Sequence, residues 1–162
     1  MTIVHELLDQ VELDEERHQR FYLGISGIGN PNQRLVWMHY RWLMPDDWEP
    51  RVLRLLDLGN VVEDDLIKKL RKIPGATIYD VDKHGKQFET KALGGHVKGH
   101  IDGVAKNLPG LDQENAYLLE FKTANDNRFN NLNKLGSYCE WSDEYAAQLH
   151  LYMGLFKFKH AI

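Results

Sequence analysis

Apolar side chains recur at helical spacing through the first part of the chain and at strand spacing through its middle. Over residues 2–22, Leu7, Leu8, Val11 and Phe21 form one side of an otherwise acidic stretch, which predicts a helix. A loop with three glycines and one proline follows over residues 24–32. Leu35, Trp37, Met38 and Trp42 predict a helix over residues 33–44. Pro45-Asp46-Asp47 breaks it, and Asp46 or Asp47 is placed to cap the next. That long helix is expected over residues 48–73, ending at Pro74-Gly75. A strand over residues 77–81, a hairpin turn over 82–86, and strands near 87–92, 95–106 and 116–123 make a meander, with Leu108-Pro109-Gly110 in its last loop. Residues 125–133 read as an asparagine-rich loop running into a helix, and Ser142-Asp143-Glu144 starts a final helix to about Phe158. The order predicts an α/β (α+β) domain with a central mixed β-sheet flanked by helices. The apolar ending, Leu155 to Ile162, has neither a helix cap nor a polar tail. The expectation is a single domain over residues 1–162, truncated at its C-terminal end.

Length and composition set the class. The chain has 162 residues, 43% of them apolar and 27% charged, enough for one globular domain with a core. No apolar run is long enough to span a membrane, and the first residues lack the basic start and apolar centre of a signal peptide, so a cytoplasmic protein is expected. The single cysteine, Cys139, excludes an internal disulfide and any multi-cysteine metal site. A net charge of −4 argues against a nonspecific nucleic-acid coat protein but leaves room for local basic patches. Two such patches are Lys68, Lys69, Arg71 and Lys72, then Lys83, Lys86, Lys91 and Lys98. The first reads equally well as a solvated helix face.

The candidate chemistry lies on two of the expected strands. Side chains alternate faces along a strand. In the first, His96, Lys98, His100 and Asp102 share one face, and Val97, Gly99, Ile101 and Gly103 the other. In the second, Glu120 and Lys122 share a face opposite to Leu119 and Phe121, at the end of the apolar run Tyr117-Leu118-Leu119. On the long helix, Gly59, Glu63, Leu66 and Leu70 step along one side, so Glu63 sits on the buried stripe while Asp64 and Asp65 turn outward. A core-facing carboxylate needs a metal, a cationic partner or a raised pKa. Glu63, Asp102 and Glu120 together would suit a hard divalent cation, and Lys122 would sit beside an attacking water or a developing negative charge. The chemistry implied is metal-assisted phosphodiester hydrolysis. A second Glu-x-Lys, Glu89-Thr90-Lys91, lacks the preceding apolar run.

These residues resemble the PD-(D/E)xK nuclease superfamily, specifically its lambda-exonuclease/RecB-like branch, over about residues 24–152. The matching positions are Glu63 in Leu58-Gly59-Asn60-Val61-Val62-Glu63, Asp102 in Gly99-His100-Ile101-Asp102, and Glu120-Phe121-Lys122. Gln148-Leu149-His150-Leu151-Tyr152 matches the family's Gln-x-x-x-Tyr helix. The resemblance implies a restriction-endonuclease-like core and a Mg2+- or Mn2+-dependent DNA exonuclease acting in phage or prophage recombination or end processing. It implies metal bound by Glu63, Asp102, Glu120 and the Phe121 carbonyl, with Asp102, Glu120 and Lys122 catalytic. It also implies DNA contacts from Ser26, Arg34, Gln148 and Tyr152. DNA is the expected partner, with no membrane, and with a homo-oligomer, an annealing protein or a helicase as further associations. Asn30-Pro31-Asn32 stands where some relatives carry a cysteine before the Arg, so no iron–sulfur cluster is expected.

Several features have simpler readings. Ser26 also suits a turn or helix cap, Arg34 an acidic neighbour, and Gln148 and Tyr152 a core pair. The four tryptophans could stack on bases, though packing is the expected role of most. Gly27-Ile28-Gly29 lacks the third glycine of a dinucleotide site, and His96 with His100 lacks further zinc ligands. Beside the exonuclease stand two other readings: a structure-specific or restriction-like endonuclease, and a non-catalytic module that grips a DNA end.

Overall fold

In the computed structural model of the chain, residues 2–15, 20–44 and 48–162 are described. Residues 16–19 of the expected first helix and the Pro45-Asp46-Asp47 breaker lie outside the described residues. Helix α1 (Thr2–Asp14) is shorter than the acidic stretch predicts. Its apolar side is not core: Leu7, Leu8 and Val11 are 61%, 50% and 59% exposed. Its main neighbour is another helix, α3 (Pro50–Leu70), to which Arg54 ties it by donating to Asp9 at 2.8 Å. Helix α2 (Gln33–Tyr40) starts where Asn32 accepts the Leu35 N–H, and it ends four residues earlier than the 33–44 span predicts. Pro50 opens α3, where its missing N–H costs nothing.

The strands form two mixed sheets flanked by helices, an α+β arrangement. One sheet has the order β1-β4-β3, with β1 (Leu23–Gly24) parallel to β4 (Val97–His100) and β3 (Glu89–Ala92) antiparallel to it. The other has the order β2-β5-β6-β7, from β2 (Thr77–Tyr79), β5 (Gly103–Lys106), β6 (Tyr117–Leu119) and β7 (His160–Ala161). The single strand expected over residues 95–106 is therefore divided between two sheets. Three further helices complete the chain: α4 (Asp126–Leu135), α5 (Tyr138–Trp141) and α6 (Asp143–Phe156). Asn125 and Ser142 cap α4 and α6 by accepting the N–H groups of Arg128 and Tyr145.

Helix α6 stops at Phe156, and Lys157 takes a left-handed conformation, φ 62°, that turns the chain back. The apolar ending then becomes β7, parallel to β6. Ile162 N–H donates to Leu118 O at 2.8 Å, and Glu120 N–H donates to Ile162 O at 3.1 Å. Pairing within a sheet thus accounts for an ending that has no helical pattern.

Two cores cover the faces of the second sheet. One gathers Ile25, Val97, Ile101, Val104, Leu118 and Tyr152, and the other Ile67, Ile78, Ala105, Leu108, Tyr117 and Leu119. Strand β6 is buried along its whole length, which is why it reads as a continuous apolar run rather than an alternating one. Each such side chain contributes about 1.5–3 kcal/mol by leaving water.

Two glycines permit close packing. A Cβ at Gly29 would lie 2.6 Å from the Glu144 Cα, so the glycine loop can press against the start of α6. A Cβ at Gly99 would lie 2.5 Å from Tyr152 Cε1 and 3.0 Å from Ile25 Cβ. Gly99→Ala is therefore expected to cost about 1–3 kcal/mol of stability in denaturant unfolding. Gly154→Ala, on α6 with nothing within 4 Å, is expected to gain up to about 1 kcal/mol from helix propensity in the same measurement.

Candidate active site

The junction between β4 and β5 builds the site. Register pairs Gly103 with Leu119, and one more step would set Asp102 opposite Glu120. The ladder ends there instead. Asp102 Oδ2 accepts the Phe121 N–H at 2.5 Å, so a side chain takes the place of a backbone acceptor. The strand bends at this point and its facing parity changes. Val97 and Ile101 share a core with Val104, whereas Gly103 approaches Ile67 and Leu119 of the other core. The expected common face for Ile101 and Gly103 is lost for that reason. Below Asp102 the alternation holds: Lys98 and His100 line the same cavity as Asp102.

On the neighbouring segment the expected alternation is present. Phe121 packs with the α3-side core, and Glu120 meets Gln148 from α6. The Glu120 side chain is 4% exposed. Its Oε1 accepts from Lys122 Nζ at 2.5 Å and from Gln148 Nε2 at 2.6 Å. Its Oε2 is buried with no hydrogen-bond partner, as is Gln148 Oε1. Buried polar atoms are nearly always paired, so two orphan oxygens on neighbouring side chains mark a place able to hold something more.

Glu63, on α3, is not among the residues that line this cavity and is linked to the group through the charges of Asp102 and Lys122. It is half-buried on the inner stripe, while Asp64 and Asp65 are exposed as predicted. Ile67, one turn on, fixes that stripe in the second core. Burial first, and then the Asp102 and Asp64 charges, raise the Glu63 pKa to about 7 against the lowering effect of Lys122. Burial first, and then the Asp102 charge, likewise raise Glu120 to about 7 against Lys122. Asp102 is also raised by burial, against the Phe121 N–H and Lys122. Three acids far apart in sequence thus repel one another's charge, and one ammonium balances them only in part.

The donor set fits a hard divalent cation. It offers carboxylate oxygens, one of them buried and unpartnered, and excess negative charge. In the present arrangement Lys122 holds Glu120, and the Glu63, Asp102 and Glu120 oxygens are not gathered into one tight set. The three acids whose oxygens do lie within 4.8 Å of one another, among the described residues, are Glu12, Glu15 and Asp57. They sit at the surface between α1 and α3, where such groups are common without a metal.

The other predicted residues divide. Ser26, Gln148 and Tyr152 line the same cavity of about 240 Å³ as Asp102, Glu120 and Lys122. Tyr152 is buried, its hydroxyl pKa pushed up to about 12 chiefly by burial. Arg34 is exposed on the first turn of α2 and lines no part of this cavity. Arg20 lies beside Ser26 instead: a Cβ on Gly24 would lie 3.4 Å from Ser26 Oγ and 3.7 Å from Arg20 Nη1, and both residues line the cavity. Arg20 precedes the short strand β1 but falls in a stretch whose pattern reads as helix, which hides it. Lys98, 4.9 Å above the Tyr22 ring, is the second cation of this wall. Tyr138 is also absent from the sequence reading. Its hydroxyl is buried and unpartnered, its pKa raised first by burial and then by Glu120. Of the first basic patch, Lys69 and Arg71 are paired with Asp65 and Asp80 at 2.6 Å, a solvated face.

The raised acids give a pH signature. Glu63 and Glu120 hold protons in the folded state that the unfolded chain releases above about 4.5. The stability they confer is present at low pH and is lost as pH rises through about 7. In a chelator, thermal unfolding is therefore expected at higher temperature at pH 5.5 than at pH 7.5, with a slope bounded by about 1.4 kcal/mol per pH unit per proton. Glu120→Gln should flatten that slope. Added Mn2+ should raise the melting temperature more at pH 7.5 than at pH 5.5, since it competes with those protons.

No protein-family model matches the chain, and no curated protein matches it. Among solved structures, the crystal structure of SSO0001 is similar, with a TM-score of 0.50 and 18% identity over 98% of this chain and 70% of that one. At that identity the likeness concerns the fold alone.

Proposed function

We propose that the protein is a metal-dependent deoxyribonuclease, an exonuclease by its resemblance to the lambda-exonuclease/RecB-like branch, that hydrolyses phosphodiester bonds in DNA end processing. The observation that carries this reading is the buried, unpartnered Glu120 Oε2 in a cavity that Lys122, Asp102 and Gln148 share, with Glu63 electrostatically coupled to it. A divalent Mg2+ or Mn2+ ion held by Glu63, Asp102, Glu120 and the Phe121 carbonyl would supply a water of lowered pKa and neutralise phosphate charge.

The chain's own residues do the rest. Lys122 sits at the edge of the acid group, where its N–H donors can orient the attacking water and meet charge as it develops on phosphate oxygen. Gln148 keeps Glu120 in place through its Nε2. Asp102, by holding Phe121 N–H, fixes the Glu120-Phe121-Lys122 segment against β5. Ser26, Arg20 and Lys98 form the wall of the cavity that receives phosphate. Hydrolysis adds water to phosphorus, breaks one ester P–O bond, and releases an alcohol and a phosphate monoester. DNA is the partner this assigns, with a homo-oligomer, an annealing protein or a helicase as further associations.

Lys122→Ala and Asp102→Asn are expected to lower Mn2+-dependent cleavage of linear, 5′-phosphorylated DNA by 100-fold or more on the scale typical of such groups, about 10²–10³. Circular dichroism should remain that of the folded protein. Wild-type activity in either variant would remove the assignment. Cleavage of a covalently closed circle as fast as of the linear form would make the enzyme an endonuclease.

A further inference from the structure

Outside the cavity lining, linked to Lys122 through the Tyr145 ring, stands an arginine that the nuclease reading does not use. Arg128 lies on the first turn of α4, its backbone N–H fixed by the Asn125 cap at 3.0 Å. Its guanidinium lies 4.9 Å from the Trp141 ring centroid and 5.2 Å from that of Tyr145. Trp141 Nε1 donates back to Arg128 O at 2.9 Å, so the ring and the arginine are locked together. Among the described residues, no carboxylate pairs with Arg128. The guanidinium is therefore held in place by ring faces, which leaves its N–H edge unspent. Its outer side is exposed to solvent.

Tyr145 connects this arginine to the acid site. Lys122 Nζ lies 5.4 Å from the same ring centroid, and Tyr145 itself stacks on Tyr138 at 6.1 Å. Lys122 and Arg128 are thus separated by at most two such spans. Phosphates recur along a strand at roughly 3.4 Å of helical rise each and lie farther apart than that through space, so this distance reaches no further than the next one or two phosphates from the scissile bond. A planar, pre-positioned guanidinium with free donors matches phosphate geometry two oxygens at a time.

Resting on the nuclease reading above, we propose that Arg128, seated against the neighbouring rings of Trp141 and Tyr145, is a second phosphate site that holds the DNA strand one or two nucleotides away from the bond being cut. A purely structural role for the stack, joining α4 to α5 and α6, would affect stability and leave phosphate binding alone.

The test measures binding of a 5′-fluorescein single-stranded oligonucleotide of roughly twelve nucleotides by anisotropy, across a salt series. Wild type is compared with Arg128→Gln and Arg128→Lys, each checked for its melting temperature. Arg128→Gln is expected to weaken binding about 5- to 20-fold and to reduce the slope of log K against log salt by about 0.7, the value for one single-strand phosphate contact. Arg128→Lys keeps the charge and should keep the slope, while losing affinity because the planar fork is gone. In cleavage, the Arg128→Gln defect should appear in KM and grow with strand length from a dinucleotide to the full oligonucleotide. Wild-type binding and cleavage together with an unchanged slope in Arg128→Gln overturns the Arg128 site and leaves the nuclease standing. A wild-type protein that neither binds nor cuts DNA overturns both.

Discussion

Everything in the site depends on one buried carboxylate. Glu120 is almost wholly withdrawn from water, and a charge so placed is tolerated only when opposed and hydrogen-bonded. The fold meets that requirement on one oxygen and not on the other. Lys122 and Gln148 both donate to Oε1, while Oε2 is buried with no donor at all. A stability-driven arrangement would divide the two donors between the two oxygens. Placing both on one side keeps the second lone-pair set available at the cost of a raised pKa. Perturbed acids gathered in a cleft are the usual mark of a site where charge is needed for chemistry rather than for folding.

The position of Glu120 follows from a backbone event one strand away. When Asp102 takes the Phe121 N–H, it ends the β5–β6 ladder at the residue where the two acids would otherwise face each other in register. The chain bends, β4 leaves for a different sheet, and its Gly99 comes beneath Tyr152 of α6. Gln148, one turn before Tyr152, is thereby brought over Glu120. On the other edge the final strand closes the arrangement, since Ile162 accepts the Glu120 N–H. Glu120 is consequently held by its backbone from β7, by its side chain from α6, and through its neighbour Phe121 from Asp102.

How much of this the sequence discloses depends on whether the determining contact is local. The Glu-x-Lys alternation, the inner position of Glu63 on its helix, the helix start at Ser142, and the turn over residues 82–86 are all set by neighbours a few positions away, and all are present. The asparagine-rich stretch over residues 125–133, which reads as a loop running into a helix, is instead helix α4 from Asp126, capped by Asn125. The division of residues 95–106 between two sheets is not legible, because nothing in that segment announces that Asp102 will bond to a backbone group nineteen positions on. The ending is misleading for a related reason. Its apolar residues have no helical period, and only the parallel partner β6 gives them a role. Arg34 shows the converse: it stands at a plausible spacing after Ser26, yet α2 turns it into solvent, and Arg20, hidden in an acidic stretch of helical character, occupies the place beside Ser26. The apolar side of α1 has the right period but stays largely exposed, with α3 as its main neighbour, so period alone does not make it core.

A chain of net charge −4 must still approach a polyanion if the nuclease reading is right, and the layout of charge shows how. The acids form the floor, where a divalent cation would reverse their sign. Two cations rest on aromatic faces: Lys98 over Tyr22 in the cavity wall, and Arg128 over Trp141 and Tyr145. An aromatic seat holds a cation without neutralising it, whereas an acidic partner would cancel the long-range attraction. Lys69 and Arg71, by contrast, lie on the outer face of α3 and its following turn, where Asp65 and Asp80 quench them, and Lys91 on β3 is paired with Glu89. Net charge therefore says little about the partner in this molecule. What matters is where each cation is seated: Lys98 and Arg128 rest on rings, whereas Lys122, in the acid site itself, is held by the Glu120 carboxylate and also lies over the Tyr145 ring.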